Sequence, residues 1–383
     1  MDGSIIPAPL KAIMAERECS QVVLAEDLGI SQAFVSQLVG GKRDYGINKM
    51  NRCLASVGWE VRIEPKAKEK VPVERRRFIA GAASVTFVAG PKTFPFQNPD
   101  YVHGLAVRLT DSTEQLGGTS LVPTVLRYMG NLRRITSSRD ERLLEAAAEL
   151  SRVSAHALYD ARQRNSAEEA GRLALVFSRR SADPAEIAQA YESLCLMTTA
   201  LDANRAAHYA QLGLQVPDVP EEQRARLNAR LGTALARNAH TSRIAARSVC
   251  AVIDKACSVS GLPSESTALI LGSAGISNAS LHRYEEADAA LAASVRTFGE
   301  RPLYVALWRA RQIMTTLSAG DVAKAAHQMS ALSGVVPLVA SGRLDTKVQQ
   351  ILTVAERWKR VPEMKDATLQ LRSVAPPTPA RSV

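Results

Sequence analysis

A small residue recurs at Ala170, Ala206, Ala245, Ala287 and Ala325, at gaps of 36, 39, 42 and 38 residues. Around each stands a related string: Ser166-Ala-Glu-Glu-Ala, Asp202-Ala-Asn-Arg-Ala, Ser242-Arg-Ile-Ala, Arg283-Tyr-Glu-Glu-Ala and Gly320-Asp-Val-Ala-Lys-Ala. A period of this length restricts the fold more than any composition does. A small side chain lets two helices approach closely, and a lone pair cannot bury its apolar face, so successive pairs must stack. From Asp100 to Pro362 alanine, leucine and arginine dominate and strand-like alternation is scarce, while Arg301-Pro302 and Val361-Pro362 mark element breaks. The pattern therefore predicts an all-α fold. An α-solenoid and a compact bundle both meet it; five correlated strings favour the solenoid.

A different pattern occupies Gln21 to Arg43, QVVLAEDLGISQAFVSQLVGGKR. Leu24, Ala25, Leu28, Ile30, Val35, Leu38 and Val39 can share one small core across two short helices. Gly29 supplies a left-handed turn between them, and Ser31 is suited to cap the second. That second helix then presents Gln32, Ala33, Ser36 and Gln37 away from the core, with Lys42 and Arg43 just beyond its end. A glutamine amide offers one donor and one acceptor, matching adenine N6 and N7 in a DNA major groove. Gln32 and Gln37 are thus candidate base readers, and Ala33 can meet a thymine methyl. Ser36, Lys42 and Arg43, with Lys49 and Arg52, are candidate phosphate contacts. Residues 31–53 carry Lys42, Arg43, Lys49 and Arg52 against Asp44, a net +3, within a chain of net +10. Charge alone does not imply DNA, since an arginine-rich composition gives the same total.

The ordered string Gln21, Leu24-Ala25, Leu28-Gly29-Ile30-Ser31-Gln32, Val35-Ser36 and Gly41-Lys42-Arg43 resembles the lambda-repressor-like, Cro/CI-type (XRE) helix-turn-helix domains. The resemblance extends back to a first helix around Leu10–Cys19 and forward to a fourth around Ile47–Val57, about the first sixth of the chain. It implies that Gln32, Ala33, Ser36 and Gln37 face the groove and that Gln21 reaches the backbone. It also implies double-stranded DNA bound by a homodimer. The string Arg283-Tyr284-Glu285-Glu286-Ala287 with Leu291 resembles the second helix of a tetratricopeptide (TPR) repeat, and Ala274-Gly275 its first. Together these features resemble actinobacterial regulators in which a helix-turn-helix head precedes a TPR-like region. Similar regulators sense peptides, and a polar concave face of Arg224, Asn228, Arg230, Asn278, Arg309 and Gln312 is the corresponding expectation here.

The organisation expected is a DNA-binding domain at 1–64, a linker at 65–100, a TPR-like helical-repeat domain at 101–362 and a disordered tail at 363–383. The linker holds Arg75-Arg76-Arg77-Phe78, which resembles a twin-arginine export signal but stands behind another domain. Its apolar run, Phe78 to Gly90, spans 13 residues, too short for the ~20 a membrane helix needs. It reads as a connector docking on the larger domain or as a segment with no special role. The cysteines 19, 53, 195, 250 and 257 form no C-x-x-C pair and read as reduced core residues. The six histidines are scattered, Gly40-Gly41-Lys42 lacks phosphate-loop spacing, and no catalytic residue, metal ligand or cofactor is expected. The functional expectation is a cytoplasmic, non-enzymatic transcription regulator without a membrane segment. Its helical-repeat domain would sense a peptide or protein partner or mediate assembly. An antitoxin-like repressor and a DNA-binding scaffold that recruits a protein partner are the alternatives.

Trp59-Glu60-Val61-Arg62-Ile63 alternates apolar and charged residues and reads as a strand. A strand cannot stand alone, so its partner is either its copy across a dimer, as in HipB-like antitoxin repressors, or its own domain. Val61→Pro separates the two. If the copy is the partner, light scattering should show the dimer mass lost, whereas an own-domain partner leaves the mass unchanged.

Overall fold

A computed structural model of the protein describes residues 14, 20–28, 32–39, 59–64, 84–89, 94–239, 242–299 and 301–375. The chain divides into two compact units, Met1–Pro95 and Phe96–Val383.

In the first unit, α1 (Gln21–Leu28) packs on α2 (Gln32–Val39). Ser20 caps α1, its Oγ accepting from Val23 N at 3.4 Å. The strand β1 (Trp59–Glu64) pairs antiparallel with β2 (Ser84–Ala89), in a register running from Trp59 opposite Ala89 to Glu64 opposite Ser84. Its partner in this structure is therefore its own chain. Within the apolar run expected to be a connector, residues 84–89 form this strand, where Val85-Thr86-Phe87-Val88 is a β-branched and aromatic run that favours a ladder. Gly29, Ser31, Lys42, Arg43, the flanking helices around 10–19 and 47–57, and Arg75–Ala83 lie outside the described residues.

The second unit is all-α among its described residues. Its helices begin with α3 (Pro99–Leu116) and α4 (Val122–Arg133), which both pack on the next helix, and then follow one another in hairpins: α5 (Glu141–Asp160) and α6 (Arg164–Ser181), α7 (Pro184–Thr198) and α8 (Ala203–Leu214). Then come α9 (Glu221–Ala236) and α10 (Arg243–Cys257), α11 (Ser264–Ser280) and α12 (Tyr284–Phe298), α13 (Pro302–Ala319) and α14 (Val322–Ser333), and α15 (Gly342–Ala355) and α16 (Pro362–Val374). Local chemistry sets many of these starts. Asn98, Asp140, Asp183, Asp202, Ser242, Asp321 and Ser341 each accept from a backbone N–H of the turn they open. Pro99, Pro184, Pro302 and Pro362 open helices in which a missing N–H costs nothing.

The periodic alanines sit where the hairpins close. Ala170, Ala206, Ala287 and Ala325 are fully buried, and Ala245 is half-buried. Gly275 shows why small residues are needed: a Cβ there would stand 2.5 Å from Leu291 Cγ and 3.0 Å from the Ala287 carbonyl oxygen. Residues 363–374, expected to be disordered, lie in α16 instead. Its Met364, Ala367 and Leu371 lie at helical spacing and are buried in the core that α13 to α16 share.

The stack closes on itself. α3 packs against both α5 and α13, and α15 packs against both α13 and α5. Backbone bonds join the two ends, Ala340 N donating to Leu116 O at 2.7 Å and Thr119 N to Ala340 O at 3.1 Å. Asp160, at 1% exposure, ties the seam. One oxygen accepts from Gly118 N at 2.8 Å. The other accepts from Ser341 Oγ at 2.7 Å and Arg343 Nε at 3.1 Å. Gly118 admits no side chain, since a Cβ would lie 2.1 Å from the Ala157 carbonyl oxygen. Asp160→Ala is expected to remove about 3–5 kcal/mol from the unfolding free energy, leaving the buried end of Arg343 without its counter-charge. Denaturant titration reads the loss, and hydrogen exchange should show protection lost at both 116–121 and 338–344. Loss of protection on one side only would mean that the seam is not a single unit.

Candidate functional site

Two regions place functional chemistry together. In the first unit, Leu24 and Val35 are fully buried and Ala25 nearly so, which fixes the rotation of α2 about its axis. Gln32, Ala33, Ser36 and Gln37 are then exposed, and Gln21 is half-buried at the start of α1. Four of the seven residues expected to meet DNA thus share the open side of one helix. Lys42 and Arg43 fall outside the described residues.

The second region lies inside the closed array, where α3, α5, α7, α9, α11, α13 and α15 surround a cavity of about 320 Å³. Its wall alternates arginines with aromatic and aliphatic side chains. Arg226 Nε donates to Glu192 Oε2 at 2.8 Å and Arg230 Nε to Glu192 Oε1 at 3.2 Å, so one buried carboxylate serves two guanidiniums. Burial works to raise the Glu192 pKa, but the two arginines outweigh it and bring it to about 2. His156 Nε2 lies 2.9 Å from Ser193 Oγ. Burial first, and then the nearby Arg152, lower the His156 pKa to about 3, so the ring is neutral. Arg343 stacks over Tyr159 with its guanidinium carbon 4.7 Å from the ring centre, and Arg311 over Trp308 at 5.1 Å. Glu114 and Glu265 also line the cavity, and Arg301 bridges them at 3.5 Å and 2.9 Å. Tyr304, enclosed beside them, has its phenol pushed up to about 12 by burial.

Of the six residues expected to line a concave face, only Arg230 reaches this cavity. Asn228 spends its amide on the Arg224 carbonyl at 2.9 Å, and Gln312 donates to Asp288 Oδ1 at 2.9 Å. Arg309 reaches Ala331 O at 3.5 Å. The phase of α9 explains the difference. At roughly 100° per residue, Arg226 and Arg230 share a face that Arg224 and Asn228 do not. The paired spacing Arg226/Arg230 was the sequence signal that pointed inward. The inner side of the stack forms a central cavity, because the two ends of the stack meet.

The cysteines behave in two ways. Cys195 is buried and burial pushes its thiol up to about 12, whereas Cys257 is exposed at the end of α10 rather than in the core. Among the described residues no three His, Cys, Asp or Glu side chains are arranged to hold a metal ion, and no helix is long and apolar enough to cross a membrane. No family model matches the chain, and no curated protein matches it.

The two depressed pKa values give a pH dependence of known sign. His156 is neutral in the folded protein and takes up a proton on unfolding below about 6.5. Its stabilisation is complete above that pH and is lost as pH falls toward about 3. Glu192 stays ionised, and its contribution is lost between 4.5 and about 2. Unfolding free energy should fall below pH 6.5 by up to about 1.4 kcal/mol per pH unit from His156 alone. Denaturant titrations of the wild type and His156→Gln between pH 7.5 and 5 test this. The slope should flatten in the variant, and equal slopes would exclude His156 as its source.

Proposed function

We propose that the protein is a sequence-specific DNA-binding transcriptional regulator acting as a homodimer. The observation that carries the reading is the division of α2: Val35 buried with Leu24 and Ala25, and Gln32, Ala33, Ser36 and Gln37 exposed together. The resemblance of Gln21–Arg43 to XRE helix-turn-helix domains supports it. In this reading Gln32 and Gln37 hydrogen-bond base edges, Ala33 meets a methyl, and Gln21, Ser36, Lys42 and Arg43 hold the backbone. The protein works in the cytoplasm and is not an enzyme.

The Phe96–Val383 unit is the sensing part, a TPR-like array closed on itself. Its central cavity, lined by inward side chains of seven helices, favours a ligand over the alternative of a scaffold that recruits proteins. A ligand there alters DNA binding only if it distinguishes two arrangements of the protein. An apolar stem or a ring in the cavity does so by bearing on helices that also form the seam, since Asp160 and Arg343 belong to both.

Selection of bound duplexes from a random pool tests the DNA reading. The wild type should enrich one salt-sensitive site. Gln32→Ala should relax preference at one base position, at about 1–3 kcal/mol. Lys42→Ala should weaken all sequences alike and flatten the salt dependence. A pool with no enriched site removes the proposal.

A further inference from the structure

One corner of the cavity carries positive charge that its surroundings do not neutralise. Arg343 has Asp160, and Arg226 and Arg230 share Glu192. Arg311 has neither; among the described residues its guanidinium makes no hydrogen bond or ion pair, and its neighbour is the Trp308 ring. Burial, together with Arg343, Arg230 and Arg237, lowers its pKa to about 10. Lys347, further along α15, is lowered to about 8, first by burial and then by Arg311 and Arg237. A second observation stands apart from charge. Trp308 lines the cavity at 6% exposure, and its ring lies 5.1 Å from the Arg311 guanidinium carbon, a stacking that holds the fork in place. The remaining wall there includes Leu269, Leu303, Leu307 and Tyr304.

We propose that the cavity binds a small organic acid, one carboxylate on an apolar body, with the carboxylate held by Arg311 and the body against Leu269, Leu307 and Tyr304. The forked guanidinium matches a carboxylate in two parallel bonds. One uncompensated guanidinium balances a single negative charge, which favours a carboxylate over a doubly charged phosphate. The volume, about 320 Å³, lies at the lower end of the ~300–1,000 Å³ of small-molecule sites, and a space of that size suits a compact acid better than an extended peptide. The inference deepens the reading of this unit as the sensing part and rests on that reading for its consequence, though not for the binding itself.

Calorimetric titration of the full chain tests it, with indole-3-acetate, 4-phenylbutyrate and octanoate as probes, each beside its neutral carboxamide, and trialanine as a peptide acid. At least one acid should bind, and its carboxamide should bind about tenfold more weakly or worse. Arg311→Gln should weaken the acid by a similar factor and leave the carboxamide unchanged. It should fold, because it removes an uncompensated charge. Arg311→Lys, which keeps charge without the fork, should fall between the two, and Arg309→Gln, on the same helix outside the cavity, should bind as the wild type does. The proposal is overturned if none of the acids binds, if acid and carboxamide bind alike, if Arg311→Gln and Arg311→Lys both retain full affinity, or if trialanine binds where the single acids do not. Failure here with an enriched DNA site intact removes the acid and leaves the regulator; acid binding without an enriched site does the reverse.

Discussion

Everything about the larger unit depends on one buried carboxylate. Asp160 ends α5, yet its two oxygens serve Gly118 from the first connection of the stack and Ser341 and Arg343 from the last. Stacked helix pairs gain stability from each neighbour, and an open array leaves two end faces to be covered by other means. Here each end covers the other. The carboxylate is fully buried, so it stabilises only with its acceptor capacity filled by well-placed donors, and three donors from two distant segments do this. Gly117 and Gly118 are part of the same arrangement, because side chains at those positions would collide with the Ala340 and Ala157 carbonyls.

Closure also decides the electrostatics. Arginines on the inner helices of an open array would be solvated, and their mutual repulsion screened. Drawn around a shared interior they are desolvated together, and carboxylates must be brought in to match them. Glu192 and Asp160 do so for three, and Arg311 is left beside the Trp308 ring without a carboxylate partner. The chemistry of the cavity is thus a consequence of topology as much as of residue choice: the same side chains on a straight stack would make an ordinary polar surface.

The sequence carried the parts of this structure that repeat and lacked the parts that do not. Burial of Ala170, Ala206, Ala287 and Ala325 was legible because close helix approach demands a small residue at each hairpin, and a demand made five times leaves a period. The amphipathic division of α2 was legible for a similar reason, since Leu24, Ala25 and Val35 fix which side remains for Gln32 and Gln37. The seam was not. It joins Asp160 to Ser341, 181 positions away, through contacts made once, and no periodicity marks a single event. The inner face was misread at α9 because Arg224, Asn228 and Arg230 were grouped by residue type, although helical phase separates Arg230 from the other two. The last helix was hidden behind Pro362, a residue that begins a helix as readily as it ends one.

Arrays of this architecture ordinarily vary in length, since a unit inserted or deleted changes only how far the stack extends. A stack whose first and last connections share a carboxylate does not have that freedom. Adding one helix pair would carry Ser341 and Arg343 past Asp160, and removing one would leave them short. The number of hairpins in this protein is therefore set by geometry. Divergence among proteins built this way should accumulate as changes of side chain around a fixed count of helices, with the interior the place where ligand preference changes.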